Sequence, residues 1–122
     1  MPSLLLVDDE KDVNEALKMY LEMQGFTVRT ALSGQEGLAA VKEAKPDLVM
    51  LDLQMPGMDG WQTLQQMRAA VPDLRVAILT GSLPSKEMEE RARQGGALGF
   101  IHKPIQLDEL VPKIKGFLTE GK

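Results

Sequence analysis

Leu48-Val49-Met50-Leu51-Asp52 is the stretch on which the fold turns: four consecutive apolar residues end on a carboxylate. A short apolar run without polar alternation suits a parallel strand, because such a strand is covered on both faces. Similar runs lie outward from it at Leu4 to Val7, Phe26 to Val28, Val76 to Leu79 and Leu98 to Ile101. Helical periodicity fills the intervals. Val13, Ala16, Leu17, Tyr20 and Leu21 follow the i, i+3, i+4, i+7, i+8 spacing, with Gly25 as the stop. Leu38 with Val41, then Leu64 with Met67 and Val71, supply shorter apolar faces. The fourth helix, near Ser85 to Gln94, offers only Met88 and Ala92, which predicts loose packing and some mobility. Leu107, Leu110, Val111, Ile114 and Leu118 mark the last helix, where Pro112 removes one hydrogen bond and bends the axis.

Strand and helix thus alternate five times over 122 residues, with no linker and no internal repeat. The pattern is (βα)5. Right-handed crossovers then favour a doubly wound, three-layer α/β sandwich, with residues 1–122 forming one domain. Charged residues at 26% and hydrophobic ones at 43% are an ordinary globular balance. Fourteen basic against eighteen acidic side chains give a net charge of −4 with no basic block, which argues against direct contact with nucleic acid. The absence of cysteine excludes disulfides and thiolate metal sites, and the single histidine excludes a multi-histidine centre. Any metal must therefore accept oxygen ligands. The N-terminal apolar run is too short for a signal segment and no stretch approaches a membrane span, so the cytoplasm is the expected location.

In open parallel sheets, ligands sit outside the carboxyl ends of the strands. Asp8, Asp9 and Glu10 follow the first run, Asp52 the third, Thr80 the fourth, and His102 and Lys103 the fifth. Each has a plain structural reading. The aspartate pair can form a turn, Asp12 can cap a helix, and Asp52 can open the turn from Gln54 to Gly60. Thr80 can cap a loop and Lys103 can be solvated. Together at four strand ends they read as a site. Crowded carboxylates repel one another, and a hard divalent cation with a lysine relieves the repulsion. Magnesium keeps several waters, so Asp9, Asp52 and the carbonyl of Gln54 are a sufficient protein contribution. An aspartate attacking phosphorus would then give an acyl phosphate, with cation and lysine neutralising the equatorial oxygens.

Leu6-Val7-Asp8-Asp9-Glu10, Ala31-Leu32-Ser33-Gly34, the segment from Asp52 to Gly60, Thr80-Gly81 and Lys103-Pro104 form an ordered set that resembles the receiver domain of two-component response regulators. The resemblance implies a flavodoxin-like sheet of order 2-1-3-4-5, with Asp52 as phosphoacceptor. It implies that Asp9 holds Mg2+ directly and Asp8 through water, and that Thr80 bonds the phosphoryl oxygen while Lys103 pairs with Asp52 or its phosphate. Phe100 matches the family's switch aromatic, simple strand packing being its other reading. Gln54 and Ser82 occupy places that tune hydrolysis. The implied partners are a histidine kinase or phosphotransfer protein and a downstream protein target, met by the surface of the fourth helix, fifth strand and fifth helix.

The match has departures. Gly81 stands where alanine is common, and the stretch from Thr80 to Lys103 is about one residue longer than usual, with Gly95-Gly96 as the place for the extra one. Leu98-Gly99 replace two acidic residues of the winged-helix branch's dimer interface, which disfavours that dimer. A flavin site would need a phosphate-cradling loop where Asp8-Asp9-Glu10 stand, and a haloacid-dehalogenase-type phosphotransferase would need an acid at Gln54. Gly81 to Lys86 lack the second glycine of a P-loop. The remaining alternative is a pseudo-receiver that acts only as a protein-binding module.

Overall fold

Strands β1 (Ser3–Val7), β3 (Leu48–Asp52) and β4 (Val76–Thr80) are buried along almost all of their length, which accounts for their lack of polar alternation. The computed structural model describes residues 2–53, 60–81, 85–103 and 105–119. With β2 (Thr27–Ala31) and β5 (Gly99–His102) at the edges, the strands form one parallel sheet of order β2-β1-β3-β4-β5. Alternate side chains leave the sheet on opposite faces. Leu4, Leu6, Leu48, Met50, Ala77 and Leu79 pack with Leu17 and Leu21 of α1 (Lys11–Met23) and with Leu110 and Ile114 of α5 (Leu107–Thr119). Leu5, Val7, Val49, Leu51, Val76 and Ile78 pack with Val41 of α2 (Gly34–Glu43) and with Leu64 and Met67 of α3 (Gly60–Ala70). The result is the expected three-layer sandwich of flavodoxin-like type.

The edge strand β2 differs from the sequence reading, and for one reason. An edge strand exposes part of its surface, so β2 carries Arg29 and Thr30 within a stretch of which only Val28 and Ala31 are buried. The apolar run at Phe26 to Val28 therefore marks only its start. Arg29 instead donates to the carbonyls of Ala40 and Ala44, completing hydrogen bonds at the end of α2. Asp12 is not the cap of α1. Glu10 holds that position with no side-chain cap bond, and Asp12 lies inside the first turn, where its charge complements the helix dipole. Pro112 sits within α5, which continues through it to Thr119.

Helix α4 (Lys86–Gly95) buries Ala92 alone, in line with the sparse apolar face read from sequence. Ser85 caps it by accepting from the Met88 amide at 3.2 Å. Gly95-Gly96 has a direct structural explanation. A β-carbon on Gly95 would come within 2.8 Å of Leu64, so glycine permits the close approach of α4 to α3. Gly96 adopts φ +86° and, with Ala97 donating to Ala92 at 2.8 Å, closes a left-handed helix stop. Gly25 does the same after α1, at φ +97°. Among the described residues no helix is long and apolar enough to cross a membrane.

The two left-handed glycines should respond differently to alanine. Gly25→Ala meets no atom within 4 Å and should cost only the backbone term, about 1 kcal/mol. Gly96→Ala also presses on the Arg68 guanidinium at 2.7 Å, and that group cannot retreat without loosening its bond to the Leu74 carbonyl. Its loss in denaturant titration should exceed that of Gly25→Ala, and equal losses would refute the packing argument.

Candidate functional site

All strands run parallel, so their carboxyl ends collect at one edge of the sheet. Val7 pairs with Leu51, which sets the residues that come next, Asp8 just after β1 and Asp52 at the end of β3, side by side. Beyond the paired registers the Leu53 amide donates to Leu79 at 3.2 Å and the Lys103 amide to Thr80 at 2.8 Å. Backbone bonding alone thus brings the segments of Asp8, Asp52, Thr80 and Lys103 into succession across the sheet. Asp8, Asp52 and Thr80 are each at most 2% exposed.

The Lys103 ammonium lies at the centre of the arrangement. Its Nζ donates to Asp8 Oδ2 at 2.5 Å and to Asp52 Oδ2 at 3.0 Å, with Glu10 Oε1 at 3.7 Å. Burial pulls the Lys103 pKa down, but hydrogen bonds and charge from Asp8 and Asp52 outweigh it and hold the group above its ordinary value. Asp9 is exposed, yet it offers a carboxylate oxygen that lies with those of Asp8 and Asp52 within 4.8 Å of one another. That spread is close to the span of about 4.2 Å between opposite oxygens around one small octahedral cation. Three carboxylates against one partly buried ammonium leave an excess of negative charge. The donor set therefore fits a hard divalent cation such as Mg2+.

Other residues fall as follows. Thr80 ends β4, opposite His102 in register. Phe100 is partly buried on the α2/α3 side of the sheet, and its carbonyl accepts from Lys113 at 3.4 Å. His102 is exposed. Trp61 packs at the start of α3, with Arg91 of α4 stacked 4.8 Å above its ring. Gln54 and Ser82 lie outside the described residues. One residue escaped the sequence reading. Asn14 is 1% exposed and donates to the carbonyls of Asp8 at 2.8 Å and Ala31 at 3.3 Å. The available signal was its place on the buried stripe of α1, three residues before Leu17 and seven before Leu21.

Residues 4–115 match the family described as the response regulator receiver domain. Among curated relatives, the transcriptional regulatory protein AfsQ1 of Streptomyces coelicolor is 34% identical over 122 residues, covering 100% of this chain and 53% of that protein. The C4-dicarboxylate transport transcriptional regulatory protein DctD of Rhizobium meliloti is 39% identical over 112 residues, covering 90% of this chain and 24% of that protein. The chain therefore spans between about a quarter and about half the length of these relatives. A CheY-like receiver domain protein from Methanospirillum hungatei superimposes with a TM-score of 0.90 at 30% identity, covering 98% of this chain and 95% of that one. Fold, strand-end chemistry and sequence agree: the chain belongs to the receiver domain family of two-component response regulators.

Proposed function

We propose that Asp52 accepts the phosphoryl group through which this receiver signals, and that residues 1–122 act as one such domain. The observation that supports this most directly is the Lys103 ammonium bridging Asp8 and Asp52 at 2.5 and 3.0 Å. A carboxylate oxygen of Asp52 attacks the phosphorus of a phosphohistidine on a histidine kinase or phosphotransfer protein. The O–P bond forms as the P–N bond breaks, and the released imidazole takes up a proton. Mg2+ held by Asp8, Asp9, Asp52 and the Gln54 carbonyl would neutralise charge on the transferring group. Asp8 and Asp52 hold Lys103 where its ammonium meets that same charge.

The new phosphate carries about −1.5 to −2 charge and three strong acceptors. Lys103 can leave Asp52 for a phosphate oxygen, and the Thr80 hydroxyl can donate to another if its loop closes. That closure is the two-state element, and Phe100 moves with it. The surface of α4, β5 and α5 then changes its affinity for a downstream protein target. Water later removes the phosphate, with Gln54 and Ser82 controlling its access. No external metabolite is turned over. The domain works in the cytoplasm, without a membrane contact, and no nucleic-acid contact is assigned to a chain of net charge −4.

A small acyl phosphate donor with Mg2+ should add one phosphoryl group to the wild type and none to Asp52→Asn, read by intact mass. Equal labelling of both would refute the assignment of Asp52, and no labelling of the wild type would favour a pseudo-receiver. Lys103 adds a pH dependence. Its raised pKa means the folded chain holds the proton more tightly than the unfolded one. The stabilisation is therefore complete below the ordinary value of 10.5 and is lost as pH rises through the folded value. Without metal, denaturant midpoints of the wild type should fall across that range more steeply than those of Lys103→Met. Parallel profiles would mean that the bridge contributes nothing in solution.

A further inference from the structure

Asn14 breaks the hydrophobic logic of α1. It occupies the helix's buried stripe with Leu17 and Leu21, where an apolar residue would pack without a polar atom to satisfy. Its Oδ1 is buried and has no hydrogen-bond partner among the described residues. A residue that leaves an acceptor unpaired in the core is a stability liability unless its other contacts matter. Those contacts join the turn that carries the acidic pair to the end of β2. The side-chain amide donates to the Asp8 carbonyl at 2.8 Å and to Ala31 at 3.3 Å, while the backbone amide donates to the Glu10 carbonyl at 3.1 Å. Ala31 also accepts the Asp8 amide at 3.1 Å, so its carbonyl serves both ends of the clamp. The same turn is closed internally by the Glu10 amide, which donates to Asp8 Oδ1 at 3.0 Å.

We infer that Asn14 is a positioning residue: it fixes the backbone of Asp8 to Glu10 against the end of β2, so that the Asp8 and Asp9 carboxylates are held at one spacing from Asp52. The inference rests on the metal-site reading above. Asp8 is tied from its side chain by Lys103. Asp9, being exposed, depends on the turn's backbone for its placement. Groups that orient metal ligands from behind commonly carry tenfold or more in metal affinity. Asn14 is placed to act in that way without touching the ion.

The test separates positioning from packing. Asn14→Leu keeps a large side chain in the stripe and removes the unpaired oxygen, and Asn14→Ala covers the case in which leucine does not fit. For the variants that fold, magnesium affinity measured by calorimetry should fall roughly tenfold. Leucine also gives up the amide's bonds to the two carbonyls, so the Asn14→Leu melting midpoint without metal should fall, but by less than that of Leu17→Ala. Leu17→Ala serves as a control for loss of core packing: its midpoint should fall and its magnesium affinity should stay at the wild-type value. Asn14 variants that bind magnesium as the wild type does would overturn the positioning role. So would a Leu17→Ala protein that loses affinity in step with them. A wild type that binds no magnesium would instead refute the metal-site reading itself, and phosphoryl labelling of Asp52 distinguishes that outcome.

Discussion

The constraint on which the rest depends is that Asp8 and Asp52, each nearly sealed from solvent, stand side by side with a single lysine between them. Two buried carboxylates without a counter-charge would be strongly unfavourable, because burial disfavours the charged form and like charges add to it. Lys103 answers both at once, reaching the two from a segment 95 and 51 residues away in sequence. Its backbone is placed by the edge strand β5, which is held by β4, which is held by β3. The charge balance at the site therefore requires the whole sheet to be in register.

That balance is incomplete, and the incompleteness is useful. One ammonium faces three carboxylates whose oxygens already lie within 4.8 Å of one another, so the site is predisposed toward a further positive charge. The same ammonium is committed to Asp8 and Asp52 at rest, and a newly added phosphate would compete for it. Burial is uneven across the described residues. The core strands are buried through both layers, whereas α4 buries Ala92 alone and leans on α3 through Gly95 and the Arg91–Trp61 stack. Segments with few buried apolar contacts open most readily.

Much of this was legible in the residues. Uninterrupted apolar runs such as Leu48 to Leu51 announce a strand covered on both sides, and the stripe from Val13 to Leu21 announces a helix on one face. The acidic pair, Asp52, Thr80 and Lys103 were legible because each follows such a run, and parallel strands end at one edge. Where the reading faltered, the cause was partial exposure. β2 extends to Ala31 through Arg29 and Thr30, whose polarity hides the strand because an edge has less to bury. Asn14 was passed over because an asparagine within a helix looks like a solvated residue until its surroundings are known.

The sequence by itself determined the kinds of element, their order and the chemical types at the strand ends, since periodicity and local residue chemistry act over a few neighbours. Only the tertiary structure decided which of those groups touch. Lys103 on Asp8 and Asp52, Asn14 on the carbonyl of Ala31, and Gly95 against Leu64 all join residues far apart in the chain. Such contacts depend on register and burial, which are properties of the packed sheet rather than of any segment within it.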